Sequence, residues 1–341
     1  MEQPFLISPA PHIKDTDSIR KIMFWVIISL LPAGLGAVYF FGIRVIWITV
    51  ASIISAVITE LICQVSMKRS IRITDGSAII TGILLAYNLP PEVPLWLPII
   101  GSFVAILIGK MVFGGIGYNP MNPALIGRAF LTASWPAHMT VFQTLPRNGT
   151  LSGIDSISSA TPLNLFSETR EILLHTSNYT TEQVTEATQA ISELYSTHSD
   201  LFIGRIGGCI GETSVVLLLM GAVFLMYKRI IGWKIPFTYL GTVAILTYIF
   251  GGTEGLLTGD PIFHLFSGGL ILGAFFMATD MVTTPVTFKG RLFFGTGCGI
   301  ITVIIRLWGG YPEGVSYSIL LMNLTTPLLD KYTKPKIFGG K

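Results

Sequence analysis

Ile22-Met-Phe-Trp-Val-Ile-Ile-Ser-Leu-Leu-Pro-Ala-Gly-Leu-Gly-Ala-Val-Tyr-Phe-Phe41 runs for twenty residues without a charge, directly after Arg20-Lys21. A hydrocarbon layer about 30 Å thick takes about 20 apolar residues of helix to cross. The stretch therefore has the length and composition of a membrane span. It is too long for the apolar part of a secretory leader, and more such stretches follow. Working outward, comparable segments lie near 43–64, 77–90, 94–113 and 123–137, then 212–229, 235–251, 262–279, 292–309 and 314–329. The chain as a whole agrees. Of 341 residues, 51% are hydrophobic and only 12% charged, with a mean hydropathy of +0.66. A soluble domain carries about 25% charged residues, and one of this composition could not cover its apolar surface.

Charge placement tests the span count and gives a direction, because cytoplasmic loops collect Lys and Arg. With the N-terminus inside, fifteen of the twenty-two basic residues fall on inner segments, among them Arg20, Lys68, Arg69, Arg72, Arg229, Lys234, Arg291 and Lys331. Only Arg44, Arg147, Arg170 and Arg205 fall outside, and Lys110, Arg128 and Arg306 fall within spans. One missed helix would scramble this asymmetry. Both termini are thus expected in the cytoplasm, with the loop 138–211 external. From 138 to 210 that loop holds seven acidic residues, three Arg and no Lys. Its second half reads as folded. Thr180 and Gln183 fit a capping box, and Val184, Ala187, Ile191 and Leu194 recur at helical spacing, a face expected to pack on a neighbour.

An internal repeat is also legible. Gly82-Ile-Leu-Leu-Ala86 leads through Pro94 to Gly114-Gly115 and Tyr118-Asn-Pro120; Gly273-Ala-Phe-Phe-Met277 leads through Pro285 to Gly309-Gly310 and Tyr311-Pro312. The matching spans are an odd number of helices apart, so the copies have opposite topology. Inverted repeats with discontinuous helices build a site near the midplane. The expected fold is an all-α polytopic membrane protein: about ten transmembrane helices in two inverted five-helix repeats, 1–137 and 212–330. The external loop 138–211 lies between them, and 331–341 form a cytoplasmic tail.

Asp155-Ser-Ile-Ser-Ser-Ala-Thr161-Pro162 is a small-residue turn that presents a hydroxyl beside a proline. Its small side chains let a bulky group approach Thr161. As composition alone it is a solvated loop. It resembles, however, the flavinylation motif Asp-x-x-Ser-Gly-Ala-Thr of the Rnf and Nqr redox complexes. Asp155, Ser158, Ala160 and Thr161 match, and Ser159 stands where the motif has Gly, a change that matters only where the backbone needs φ > 0. Ile73-Thr-Asp-Gly-Ser-Ala-Ile-Ile-Thr-Gly82, Gly117-Tyr-Asn-Pro-Met-Asn-Pro-Ala124, Phe276-Met-Ala-Thr-Asp280 and Ile305-Arg-Leu-Trp-Gly-Gly-Tyr-Pro-Glu-Gly314 resemble the same RnfD/NqrB family. In length the chain is closest to the RnfD members, which belong to the Rnf ion-translocating oxidoreductase complex.

That resemblance implies FMN joined to Thr161 by a phosphodiester and installed by a separate flavin transferase. It implies a flavoprotein subunit of an inner (plasma) membrane translocase that moves electrons between ferredoxin and NAD, coupled to Na⁺ or H⁺ transport. It also implies other Rnf-type membrane and iron–sulfur subunits as partners. The chain would be part of an enzyme and not a complete one, with no catalytic residue of its own assigned. No Rossmann fingerprint follows a strand, so nicotinamide chemistry is expected in partners. Cys63, Cys209 and Cys298 have no metal-ligand spacing and read as small packed residues. Nothing suggests nucleic acid. The alternatives are an NqrB-type chain of a complex passing electrons from NADH to quinone, a cofactor-free solute channel on the same repeats, and a structural scaffold.

Polar groups inside the spans need partners, because a charge at the bilayer centre is costly. Arg128 follows the breaks Asn119-Pro120 and Asn122-Pro123 and reads either as a cap for freed carbonyls or as part of a site. That site would hold a second, non-covalent flavin or couple ions. Lys110 and Arg306 are expected to snorkel from span ends. Asp75, Asp280 and Glu313 read as loop carboxylates, with ion movement as the alternative.

Overall fold

The computed structural model describes residues 18–140, 142–143, 158–159, 161–212, 214–253, 255–311 and 313–334. Asp155 and Ala160 lie outside the described residues, as does the tail beyond 334.

Helix dominates. In the first half, α1 (Ile19–Phe41), α2 (Arg44–Ser66), α3 (Ser77–Tyr87), α4 (Trp96–Ile106), α5 (Pro123–Ser134) and the short α6 (Pro136–Met139) follow in order. The intervening loop carries α7 (Pro162–Leu174), α8 (Thr181–Ser196) and α9 (His198–Ile203). The second half holds α10 (Val215–Tyr227), α11 (Lys234–Phe250), α12 (Pro261–Phe266), α13 (Leu270–Leu272), α14 (Phe288–Trp308) and α15 (Val315–Tyr332). A two-residue antiparallel pairing, β1 (Phe142–Gln143) with β2 (Ser158–Ser159), precedes α7.

Local chemistry sets many of the helix starts. Ser18, Asn122, Ser214, Asp260 and Thr287 each accept a backbone N–H of the first turn with their side chains, the arrangement that satisfies a helix's orphan donors. Thr180 and Gln183 form the expected capping box on α8. The buried face of α8, Ala187 and Ile191, packs on α7.

The outside of the bundle is apolar. Leu31 and Leu35 on α1, Trp47, Ile54 and Ile62 on α2, and Leu321, Leu324 and Leu328 on α15 are all exposed. Lipid covers such a surface, and the chain is a membrane protein. The helices α1, α2 and α14, at 23, 23 and 21 residues, are long and apolar enough to cross a bilayer. Helix occurs at each of the ten positions read from the sequence, but several are short. The eleven residues of α3 reach about 17 Å. The span expected at 262–279 is broken: α12 ends at Phe266, Gly268 turns at φ +68°, and only α13 and a π-helical turn, Gly273–Met277, continue. A second π-helical turn, Leu107–Met111, ends α4.

Packing is close where small residues meet. A Cβ on Gly82 of α3 would lie 2.8 Å from the Cα of Ile53 on α2, and one on Gly127 of α5 would lie 2.7 Å from the carbonyl of Gly101 on α4. These glycines let the backbones touch, as membrane helices require. The main pairings are α2 with α3 and α4, α4 with α5, α11 with α14, α14 with α15, and α1 with α10 across the two halves.

The turns collect at two ends. At one, Arg44 donates to the carbonyls of Glu92 and Val93, Ile210 N–H to Leu89, and Arg170 to Leu307 and Phe250. Thr161 belongs to this end. At the other, basic end, Lys228 lies 4.7 Å over the ring of Trp25 and Lys234 lies 4.0 Å over that of Phe288. There the carboxylate of Asp330 accepts the N–H of Val286 at 3.0 Å.

Candidate functional site

Thr161 is the N-cap of α7. Its Oγ1 accepts the Asn164 N–H at 3.2 Å, and Pro162 follows at the first helical position, where a missing N–H costs nothing. The residue is only 7% exposed. Two cavities meet at it. One is lined by Phe142, Met139, Asn164, Tyr311, Tyr317 and Arg128. The other runs past Gly207, Gly208, Phe266 and Gly268 to Glu212. Glu313 borders both.

Beneath Thr161 lies a buried charged knot. Arg128 of α5 pairs with Glu313 ahead of α15, lies 3.7 Å from Glu212 ahead of α10, and donates to Asn88 Oδ1 at 2.7 Å beyond α3. Its guanidinium also approaches Cys209 Sγ at 3.8 Å. Three separate segments thus converge on one planar fork, a geometry Lys could not satisfy. Arg128 does not cap freed carbonyls. That work belongs to Arg306, which is 3% exposed and donates to the carbonyls of His264 and Ser267 at 2.6 and 3.0 Å, at the break between α12 and α13. The expectation that Arg306 snorkels is therefore wrong: the broken span leaves carbonyls that need a donor more than the side chain needs water.

The loop is strapped down beside this knot. Arg170 of α7 donates to Leu307 and Phe250 at 2.8 and 3.2 Å, at the ends of α14 and α11, and burial lowers its pKa. His198 Nε2 lies 2.6 Å from Asp260 Oδ2. Phe166 stands edge-on to His264 at 4.8 Å between ring centroids. The phenol of Tyr195 is pushed up to about 12 by burial, with Asp260 adding and Arg170 opposing.

The basic end holds a second buried group. Lys110, at 3% exposure, lies 2.8 Å from both carboxylate oxygens of Glu60 on α2 and donates to Ser77 Oγ at 2.6 Å. Lys110 does not snorkel either, because the π-helical turn aims it inward at a carboxylate. Ser77 in turn donates through N–H and Oγ to Asp75 Oδ1, and Gln64 donates to Glu60. Lys110 and Ser77 border a cavity with Asn119, Asn122 and Asp280 at its polar side and Phe275 and Phe276 among its walls. Asn122 also donates to the Met277 carbonyl at 3.3 Å. Asp280 is satisfied within its own turn by Val282 N–H and Thr283 Oγ1. The three cysteines are free and buried.

Glu60, Glu212 and Asn88 escaped the sequence reading. Glu60 had a signal: a lone carboxylate in the apolar run 43–64 demands a partner. Glu212 sat at the edge of a span and gave none.

A family model described as "NQR2, RnfD, RnfE family" matches residues 6–339. The chain is 48% identical over 337 residues to the D subunit of the proton-translocating ferredoxin:NAD(+) oxidoreductase complex of Clostridium ljungdahlii, covering 99% of this chain and 97% of that one. It is 46% identical over 335 residues to the D subunit of the Na(+)-translocating ferredoxin:NAD(+) oxidoreductase complex of Acetobacterium woodii, covering 98% and 95%. It is 38% identical over 339 residues to the D subunit of the ion-translocating oxidoreductase complex of Stutzerimonas stutzeri, covering 94% and 92%. With the match running nearly end to end, the chain belongs to the NQR2, RnfD, RnfE family.

Proposed function

We propose that this chain is the D-type membrane subunit of an Rnf ion-translocating ferredoxin:NAD oxidoreductase, carrying FMN on Thr161. Relatives named as the D subunits of such complexes support the assignment at full length. Its partners are then the other subunits of that complex, and it is one part of a multisubunit enzyme. The two relatives are named for different ions, one for the proton and one for Na⁺.

The observation that carries the flavin reading is the position of Thr161 at the N-terminus of a thirteen-residue helix where two cavities meet. A phosphate esterified there sits at the positive end of the α7 dipole. The aromatic rings of Phe142, Tyr311 and Tyr317 suit a flat heterocycle. A bound flavin supplies exchange between two-electron and one-electron carriers. The chain's own part is to hold it. Asn164 N–H and Pro162 fix the turn, Arg170 and His198 fasten the loop, and the Arg128 fork ties the floor.

The same reading includes ten crossings in two inverted repeats, 1–137 and 212–330, with both termini cytoplasmic, 138–211 external and 331–341 a tail. Its support is that Gly114-Gly115 ends its helix at the basic end while Gly309-Gly310 ends its counterpart at the Thr161 end. The short α3 and α13 are the corresponding broken helices. The same reading assigns a second, non-covalent flavin to the basic-end cavity, where the side-chain amides of Asn119 and Asn122 lie between apolar walls.

The test is to express the full chain with its flavin transferase, denature it, and record in-gel flavin fluorescence of wild type and Thr161→Ala. A fluorescent wild type beside a dark variant supports the reading. A dark wild type despite an active transferase contradicts it and favours the channel alternative.

A further inference from the structure

Between the end of α10 and the starts of α11 and α14, the basic end opens a groove of about 570 Å³. Three cations line it, Arg229, Lys234 and Arg291, and among the described residues no carboxylate does. The nearest acids on the flanking elements are occupied. Asp280 accepts Val282 N–H and Thr283 Oγ1, and Asp330 accepts the N–H groups of Val286 and Thr287. Arg291 spends one donor, Nε, on the Pro285 carbonyl at 2.9 Å, which fixes the guanidinium toward the Gly232 turn. Lys234 is held over the Phe288 ring.

The rest of the groove is apolar: Ile230, Ile231 and Ile235 on one side, Pro285 and Val286 on the other. It opens beside exposed Trp233, Phe237 and Phe288, the aromatic side chains that mark a membrane–water interface. A ligand that satisfies both halves carries a phosphodiester anion at one end and hydrocarbon at the other. An acidic peptide would meet the cations but leave the apolar walls uncovered. Clusters of cations at this depth attract anionic headgroups.

We propose that this groove is a binding site for one anionic phospholipid, with its phosphate held by Arg229, Lys234 and Arg291. Trp233 reports on it. The full chain is reconstituted in phosphatidylcholine vesicles containing either brominated phosphatidylglycerol or brominated phosphatidylcholine as a minor component. Quenching is read from the emission that Trp233→Phe removes. Brominated phosphatidylglycerol is expected to quench at a far lower mole fraction than brominated phosphatidylcholine. Each cation-to-Gln change should weaken that preference about fivefold, and R229Q/K234Q/R291Q on the order of a hundredfold. If the triple variant misfolds, the three single variants carry the test. Equal quenching by the two lipids in the wild type means ordinary boundary lipid and overturns the proposal. So does a preference that survives the triple variant. Loss of Trp233 quenching in the assembled complex would mean that a neighbouring protein covers the groove, which also overturns it.

Discussion

The two ends of the molecule bury charge in different ways. At the Thr161 end one arginine serves three segments: Arg128 reaches Asn88, Glu313, and Glu212 with Cys209. At the basic end one lysine closes on one carboxylate, with Ser77 as its second partner. The first arrangement ties together segments far apart in the chain, and the loop that carries Thr161 rests on it. The second clamps neighbouring helices of the first half beside an open cavity. A fork distributes a constraint over several segments, whereas an ammonium concentrates it on one pair. Between them the two groups hold the short α3 at both ends, through Ser77 and Asn88, while Arg306 holds the break before α13.

The contrast can be broken by mutation. The largest effect is expected from Lys110→Met, which strands Glu60 at 2% exposure. Removing one partner of a buried pair costs about 3–5 kcal/mol. Thermal unfolding in detergent should show it, and adding Glu60→Gln should recover a large part. Next comes Arg128→Lys, which keeps the charge and loses the fork. A loss of about 2–3 kcal/mol is expected, with the α7 loop becoming more sensitive to protease while the basic end does not. Equal sensitivity at both ends would show that the two knots are one unit. Gly82→Ala forces α3 off α2, where a Cβ would meet the Ile53 backbone at 2.8 Å, and should cost about 1–3 kcal/mol. The smallest effect is expected at the rim. His198→Ala removes a partly exposed pair with Asp260 and should cost about 1 kcal/mol or less. A larger loss there would mean that the strap, and not the Arg128 floor, holds the loop.

Much of this was legible in the sequence. Twenty-residue apolar runs, the bias of Lys and Arg, and Thr180 with Gln183 gave the helices, the two ends and the start of α8. The Asp155 to Thr161 stretch gave the candidate acceptor through its resemblance to a known motif. Helix α7 was not foreseen, because Pro162–Leu174 mixes Asn, Ser, Thr and Glu with its apolar residues and shows no long stripe. The break at Ser267–Gly269 was missed because an apolar run reads the same whether or not its helix is interrupted. The partner choices were hidden for a related reason. A charge in an apolar run announces that it needs a counterpart, but only the packing decides that Lys110 meets Glu60 and Arg306 meets two carbonyls.

The central claim is that Thr161 carries the flavin, and mapping the modification on peptides tests it most directly. Protein co-expressed with the flavin transferase is digested, and the peptide spanning Asp155 to Arg170 is fragmented. The account predicts a mass gain of one FMN less one water, located on Thr161 and absent from the rest of the chain. An unmodified peptide from a preparation with an active transferase, or a gain located on another residue, would contradict it.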